Sequence, residues 1–259
     1  MAAVIGVSSL GARVRFDADR PMVSVCMAAY NGAAFIVEQI SSILAQLAEG
    51  DELIVIDDCS QDETVELVQG IGDARIRLIR SERNNGYMRT FERAIALAEG
   101  DVIFLSDQDD VWLPGRVDRM IEALDDVELV VSNFGSFGGA LTAVQARRLR
   151  AVDSTRWRRN IFWIWFGTRP YYGCCMAFRS DLRERILPFP SYLTETHDQW
   201  LGYVANADHS VRHLEQDTIS RRIHDANSSK TGRSLGTILR ARIMTGRAIL
   251  EAFRRRVKA

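Results

Sequence analysis

The segment Asp107-Gln108-Asp109-Asp110 places three carboxylates within four residues, directly after an apolar run. Carboxylates this close repel one another unless a cation or a set of hydrogen-bond donors neutralises them. Mg²⁺ and Mn²⁺ typically take one or two protein carboxylates and complete their coordination with water and substrate phosphates. The segment therefore predicts a divalent metal site, with a solvated acidic turn before a helix as the alternative.

Two further acids stand where a carboxylate can do chemistry. Asp58 follows a second apolar run and can accept a hydrogen bond from the ring N–H of a pyrimidine base. Asp198 lies at a predicted helix start, where it serves either as a general base or as a helix cap. Later in the chain, Arg221, Arg222 and His224 supply donors that can bind phosphate groups, although a lone histidine is more often structural.

Apolar runs alternate with segments of helical periodicity through the first half of the chain. The pattern Ser60-Gln-Asp-Glu63 has the capping-box form and predicts a helix start. The alternation predicts an α/β fold with a mostly parallel central sheet and helices on both faces. Ligands bind at the carboxyl ends of the strands in such sheets, and the acidic segments fall at those ends. The predicted strands cover residues 23–28, 52–56, 76–79, 101–105 and 128–131.

Composition and absent motifs exclude several function classes. The formal net charge of −1 provides no general attraction to nucleic acid, and none is expected as a partner. The chain contains no phosphate-binding P-loop, dinucleotide-binding glycine motif, serine-hydrolase elbow or zinc-protease motif. The four cysteines lack C-x-x-C spacing and are expected to be reduced. Neither a signal peptide nor a spanning apolar segment is evident, which predicts a cytoplasmic protein.

Taken together and in this order, the motifs closely resemble the inverting family 2 glycosyltransferases of the GT-A fold, over residues 22–227. The resembling segments are VSVCMAAYNGAAFIVEQISSIL, VIDDCSQDET, LSDQDDVWLPGRV, THDQW and RRIHDAN. The resemblance implies nucleotide contacts by Ala29, Tyr30, Asn31, Asp58 and Asp109, metal binding by Asp110, Asp109 and His224, and base catalysis by Asp198. Asp107, Arg221, Arg222 and Trp200 are the remaining candidates, for contacts with the diphosphate or the acceptor.

The resemblance also implies a reaction and its partners. The expected donor is a nucleoside-diphosphate sugar, either dTDP-rhamnose or a UDP-sugar, and the expected cofactor is Mg²⁺ or Mn²⁺. The expected acceptor is a glycan or a lipid-linked glycan in cell-surface polysaccharide synthesis. The spellings DQDDVWLP and HDQW are most similar to rhamnosyltransferase-like members, although Gln199 stands where an aromatic residue is common in that subgroup. Two alternatives stay open: a sugar-nucleotide pyrophosphorylase and a non-catalytic nucleotide-binding regulatory module.

The domain organisation predicted from the sequence has three parts. Residues 1–21 form an N-terminal extension, residues 22–229 the GT-A domain and residues 230–259 a basic amphipathic helical tail. Such a helix either lies in the headgroup region of an anionic membrane or packs back on the domain. The first alternative predicts peripheral attachment at the inner face of the cell membrane. The predicted apolar face of the tail consists of Leu239, Ile243, Leu250, Phe253 and Val257.

Overall fold

One eight-stranded sheet organises the protein, whose computed structural model describes residues 20–224 and 235–256. The strands are ordered β3-β2-β1-β4-β7-β6-β8-β5. They are β1 (Val23–Ala29), β2 (Glu52–Asp57), β3 (Ile76–Arg80), β4 (Val102–Ser106), β5 (Val111–Trp112), β6 (Leu129–Phe137), β7 (Met176–Arg179) and β8 (Val211–Arg222). The helices are α1 (Ile36–Leu44), α2 (Thr64–Ile71), α3 (Tyr87–Leu97), α4 (Arg116–Ala123), α5 (Trp157–Trp165), α6 (Arg183–Ile186), α7 (His197–Ala207) and α8 (Leu235–Arg256).

The first four strands of the sheet form the parallel unit that the sequence predicts. Strand β1 pairs in parallel with both β2 and β4, and β2 pairs in parallel with β3. The central strands are apolar on both faces because helices cover the sheet on each side. In this register Ala29 lies opposite Asp57, and Met27 lies opposite Ser106. The loops that leave β1, β2 and β4 therefore meet at one edge.

The other half of the sheet is mixed, which the prediction of a mostly parallel sheet did not include. Strand β7 runs antiparallel to both β4 and β6 and joins the two halves. Strand β8 is parallel to β6, and its far end pairs antiparallel with the short β5. Strand β7 has four residues and is buried along its whole length, so its sequence shows no alternation of apolar and polar residues from which its direction could be predicted.

The second helix begins later than the capping-box pattern predicts. It starts at Thr64, and Ser60 lies outside it. The Ser60 hydroxyl instead accepts a hydrogen bond from the backbone N–H of Asn31 at 2.9 Å. Ser60 therefore hydrogen-bonds to the loop after β1 and does not cap α2.

Arg116 at the start of α4 ties the two halves of the sheet together. It is fully buried, and its guanidinium donates to the carbonyl of Cys174 at 2.7 Å and to the hydroxyl of Thr218. The same group lies over the ring of Trp112, 4.7 Å from its centroid. Arg116 therefore fixes the turn before β7 relative to β8.

Helix α8 packs on the domain, and the structure divides its predicted apolar face. Ala248 and Ala252 are buried against the rest of the domain. Of the predicted face, Phe253 turns inward, Leu239, Ile243 and Leu250 are exposed, and Val257 lies outside the described residues. The predicted boundary at 229/230 and most of the predicted N-terminal extension, residues 1–19, also lie outside them.

Within the described ranges, every helix is too short or too polar to cross a membrane. The cysteines are free thiols, as expected, and Cys26, Cys174 and Cys175 are buried.

We expect Arg116→Met to lower the free energy of unfolding by about 1–3 kcal/mol, because it leaves the buried Cys174 carbonyl without its donor. Thermal unfolding followed by circular dichroism measures this change. Arg119→Met, one turn further along α4, is the control and should cause a much smaller loss. Equal stability of the two variants would contradict the role given to Arg116.

Candidate active site

A glutamine clamp fixes the first loop of the candidate site. The backbone N–H of Tyr30 donates to Gln108 Oε1 at 2.8 Å, and Gln108 Nε2 donates to the Tyr30 carbonyl at 3.0 Å. A Cβ at Gly32 would lie 2.3 Å from Gln108 Oε1, so this clamp requires glycine there. Sequence reasoning did not select Gln108, because its partner is 78 residues away in the chain and no local pattern points to the contact.

Asn31 is held by the turn that follows β2. Its backbone N–H donates to Ser60 Oγ, and its side-chain oxygen accepts from the N–H of Gln61 at 2.8 Å. The residue has a positive φ of 48°, a conformation that asparagine tolerates better than most residues. The loop predicted to contact the nucleotide is therefore fixed before any ligand binds. Ala29 precedes it and is buried at the end of β1.

Asp58 holds the loop that leads into α3. One carboxylate oxygen accepts from the backbone N–H of Asn85 and the other from that of Gly86, both at 2.8 Å. The residue is 3% exposed. Each oxygen keeps a second lone pair, so contact with a base stays a prediction, and loop ordering is a further role that the structure adds.

The acidic segment separates into an inward and an outward group. Asp107 and Asp110 form the inward group with Cys174, and potential ligand atoms of the three lie within 4.8 Å of one another. Asp110 Oδ2 is buried and accepts no hydrogen bond from any described residue. Burial raises the pKa of both carboxyls, and repulsion from neighbouring carboxylates adds to the increase, from Asp109 for Asp107 and from Asp107 and Asp109 for Asp110.

These features fit a divalent cation at Asp107 and Asp110. A buried carboxylate oxygen without a donor is expected where a cation binds, and carboxylates are preferred ligands of Mg²⁺ and Mn²⁺. The pKa of Cys174 is raised, chiefly through its contact with Cys175 and also by burial. Cys174 therefore stays a neutral thiol beside the cluster. Asp107, which was predicted to contact diphosphate or acceptor, lies among the potential metal ligands.

The outward group joins Asp109 to the end of β8. His224 Nε2 lies 2.9 Å from Asp109 Oδ2, and the His224 ring lies 4.8 Å from that of Phe35. Arg222 donates from its backbone to Asp110 Oδ1 at 3.1 Å and from its side chain to the carbonyl of Asp109. The structure thus brings the predicted pair Asp109 and His224 into contact, one residue away from the inward cluster.

Arg221 lies on the opposite side of β8 from Arg222 and points into the protein. It is 8% exposed, and its guanidinium carbon lies 4.4 Å from the ring centroid of Tyr172 and 5.1 Å from that of Phe134. Its Nε and Nη1 are buried and donate to no described residue. Arg221 is therefore a fixed cation with unused donors beside the inward carboxylates.

Asp198 is the second residue of α7 and is partly buried. Burial raises its pKa to about 7, Asp107 adds to the increase, and Arg221 opposes it. Its Oδ1 accepts from the N–H of Gln199 at 2.7 Å, and Thr196 rather than Asp198 occupies the N-cap position of α7. Its position does not fit the alternative of a helix cap.

The predicted contact of Trp200 with diphosphate or acceptor does not fit its position. Trp200 is fully buried, and its indole N–H donates to the carbonyl of Ile186 at 2.9 Å. Helical periodicity explains this, since Trp200 lies two residues after Asp198 on a different face of α7.

The neighbouring His197 is a residue that sequence reasoning missed. It stacks on Phe91 with 4.2 Å between ring centroids, and burial lowers its pKa to about 3. A Cβ at Gly173 would lie 2.5 Å from His197 Nε2. Neutral His197 therefore packs the start of α7 against the turn that carries Cys174.

Comparison with known sequences identifies the family. The family model described as Glycosyl transferase family 2 matches residues 24–187. The chain is 45% identical over 105 residues to the succinoglycan biosynthesis protein ExoO of Rhizobium meliloti, covering 40% of this chain and 30% of ExoO. It is 31% identical over 118 residues to the Escherichia coli UDP-Glc:alpha-D-GlcNAc-diphosphoundecaprenol beta-1,3-glucosyltransferase WfgD, covering 45% of this chain and 47% of WfgD. The chain thus spans less than half the length of either protein.

Solved structures show the same fold at low sequence identity. Staphylococcus aureus TarS 1-349 in complex with UDP-GlcNAc superposes with a TM-score of 0.70 at 18% identity, covering 88% of this chain and 66% of that one. The mannosyltransferase PcManGT from Pyrobaculum calidifontis, in complex with GDP-Man and Mn²⁺, has a TM-score of 0.58 at 16% identity and covers 95% of this chain and 77% of its own. The expected GT-A fold is confirmed, and the chain belongs to glycosyltransferase family 2.

Proposed function

We propose that this protein transfers a sugar from a nucleoside diphosphate to a hydroxyl of a glycan or lipid-linked glycan, with inversion at the anomeric carbon. The observation that carries the proposal is the convergence of Asp107, Asp110, Arg221 and Asp198 at the carboxyl edge of the sheet. This combination offers a cation site for a diphosphate and a separate carboxylate to accept a proton. Family membership favours a transferase over the pyrophosphorylase and regulatory alternatives.

The donor subsite in this proposal is built from the prearranged loops. Tyr30 and Asn31 line one side of the nucleotide, and Asp58 faces the base while holding the Asn85–Gly86 backbone. Asp109, fixed by His224, lies toward the ribose and diphosphate. Loops that need no rearrangement reduce the entropy lost on binding.

Asp107 and Asp110 would hold Mg²⁺ or Mn²⁺. Such a cation offsets the negative charge that develops on the leaving diphosphate. Arg221 directs its unused donors toward the same region, and Arg222 and His224 hold the outer loop. The leaving group then needs no protonation, since fixed positive charge stabilises it.

Asp198 is the proposed general base. The acceptor hydroxyl attacks the anomeric carbon from the face opposite the diphosphate, and Asp198 accepts its proton as the C–O bond forms. A pKa of about 7 suits this step, because the carboxylate is available near neutral pH and is basic enough to take the proton. Its partial burial keeps bulk water from competing for the proton.

The proposal also extends to the identity of the donor and of the acceptor. A UDP-sugar is supported by TarS, which binds UDP-GlcNAc, and by WfgD, which is named for UDP-Glc. The motif spellings support dTDP-rhamnose as the other candidate. WfgD is named for a lipid-linked acceptor and ExoO for succinoglycan biosynthesis, and both names support an acceptor in cell-surface polysaccharide assembly.

We expect a panel of nucleotide sugars with Mg²⁺ or Mn²⁺ to include one donor from which the protein releases nucleoside diphosphate. Asp110→Asn should abolish this release and the cation-dependent thermal stabilisation by nucleoside diphosphate, because it removes the buried charge that binds the cation. Asp118→Asn, an exposed acid of α4, is the matched control. Full activity of the wild type in excess chelator would contradict the proposal.

We expect Asp198→Asn to retain donor binding and to lower the transfer rate by about 10²–10⁴-fold. The same substitution should raise the melting temperature at pH 8 without cation or nucleotide. The pKa of Asp198 is higher in the folded state than the ordinary value of about 4, so the wild type loses stability as pH rises from about 4 to 7. Wild-type kcat/KM should fall as pH decreases below about 7. A variant that transfers sugar normally would contradict the assignment.

We expect Arg221→Met to move the acidic limb of the pH–rate profile to higher pH. The positive charge of Arg221 lowers the pKa of Asp198, so removing the guanidinium should raise that pKa further. Arg212→Met is the control, since Arg212 lies on the same strand but pairs with Asp126 at the surface. An unchanged acidic limb in Arg221→Met would show that the two groups are not coupled.

A further inference from the structure

Helix α8 presents a second apolar face, which is turned away from the domain. Ala248 and Ala252 occupy the packed face and are almost fully buried. On the opposite side Leu239, Ile243 and Leu250 are 62%, 58% and 64% exposed. Their spacing of four and seven residues places them in one row along the helix.

The end of helix α5 extends this row. Phe162 and Phe166 are 49% and 52% exposed and stack on each other with 6.1 Å between ring centroids. Arg242 of α8 donates to the carbonyl of Phe166 at 2.8 Å, and Trp165 Nε1 donates to the carbonyl of Arg242 at 3.1 Å. These bonds fix the aromatic pair beside the α8 row. The five exposed side chains are called the α5–α8 patch: Phe162, Phe166, Leu239, Ile243 and Leu250.

Positive charge borders one side of the α8 row. Arg240, Arg247 and Arg254 are exposed on α8, on the side of the row away from α5. The described part of α8 contains one acid, Glu251, which pairs with Arg255 at 3.2 Å and, more distantly, with Arg254 at 3.9 Å. An apolar row bordered by arginines matches the boundary between the headgroups and acyl chains of an anionic bilayer.

The elements that carry the patch are connected to segments of the candidate site. The chain that leaves α5 leads to Tyr172, whose ring contacts the guanidinium of Arg221. On the other side of α8, Thr194 contacts Met244, and the same loop continues into Asp198. Docking through the patch would therefore anchor the helix that contacts the loop leading to the proposed base.

We propose that the α5–α8 patch docks the protein on an anionic membrane surface, from which it takes a lipid-linked acceptor. The choice of a lipid-linked acceptor rests on the proposed function, whereas docking itself does not. The apolar side chains enter the interfacial region, and the arginines contact lipid phosphates. An interface with a second copy of this chain is the competing occupant, but the exposed arginines that border the row would repel those of a second copy.

The test is sedimentation of the full chain with vesicles of phosphatidylglycerol and phosphatidylcholine in equal parts. The wild type should bind at low salt, be released at high salt and bind pure phosphatidylcholine poorly. The triple variant Leu239→Gln, Ile243→Gln, Leu250→Gln should lower the bound fraction at least about fivefold, because it removes the inserted side chains. Arg240→Gln with Arg254→Gln should weaken binding by about fivefold for each charge removed.

A matched control replaces exposed valines on other elements, Val37→Gln with Val144→Gln, and should bind as the wild type does. Donor hydrolysis without acceptor should be equal in the triple variant and the wild type, so loss of docking is distinguishable from loss of chemistry. Failure of the wild type to sediment, equal binding to pure phosphatidylcholine, or wild-type binding by the triple variant would each overturn the proposal. So would a wild-type dimer that the triple variant converts to a monomer without any vesicle binding.

Discussion

Repulsion among carboxylates at one sheet edge is the constraint on which the site depends. Asp107 and Asp110 lie in the loop between β4 and β5, Asp198 lies in α7, and each has a raised pKa because burial and like charges oppose ionisation. Arg221 is the described cation that acts on all three. Its guanidinium is supported by the faces of Tyr172 and Phe134, and its buried Nε and Nη1 donate to no residue that the structure describes. Arg221 therefore provides a fixed positive charge in the site and keeps two hydrogen-bond donors available to a ligand.

The supports around this charge come from residues far apart in sequence. Arg116 holds the carbonyl of Cys174, which fixes the turn beside Asp107 and Asp110. Gln39 of α1 donates to the carbonyl of Asp107 at 3.1 Å and so fixes the acidic loop from the other side. Such positioning limits how far the carboxylates can relax away from one another. The fold thus holds the carboxylates in an unfavourable arrangement that a bound divalent cation would relieve, consistent with the cost that functional sites impose on stability.

The sequence predicted the elements whose signals are local. Strands β1 to β4 and the edge at which their loops meet follow from apolar runs and turn residues, and the acidic segment follows from its charge density. Long-range partners were beyond such reasoning. The local pattern predicts Ser60 as a helix cap, but its hydroxyl instead accepts a hydrogen bond from Asn31. Trp200 was predicted to contact a ligand, but the packing of α7 buries it. Gln108 illustrates the reverse case, because a neutral residue between acids shows no signal of a clamp.

Helix α8 shows why amphipathicity alone cannot assign a partner. Its sequence contains apolar residues around much of the helix, and the pattern does not state which of them pack. Alanine is small enough for close helix contact, so Ala248 and Ala252 settle against the domain, whereas the larger Leu239 and Leu250 stay outside. Burying the large row instead would have separated the helices by the added side-chain volume and exposed the alanines. Close packing therefore selects the alanine face for the core and leaves the leucine row, with its arginines, available at the surface.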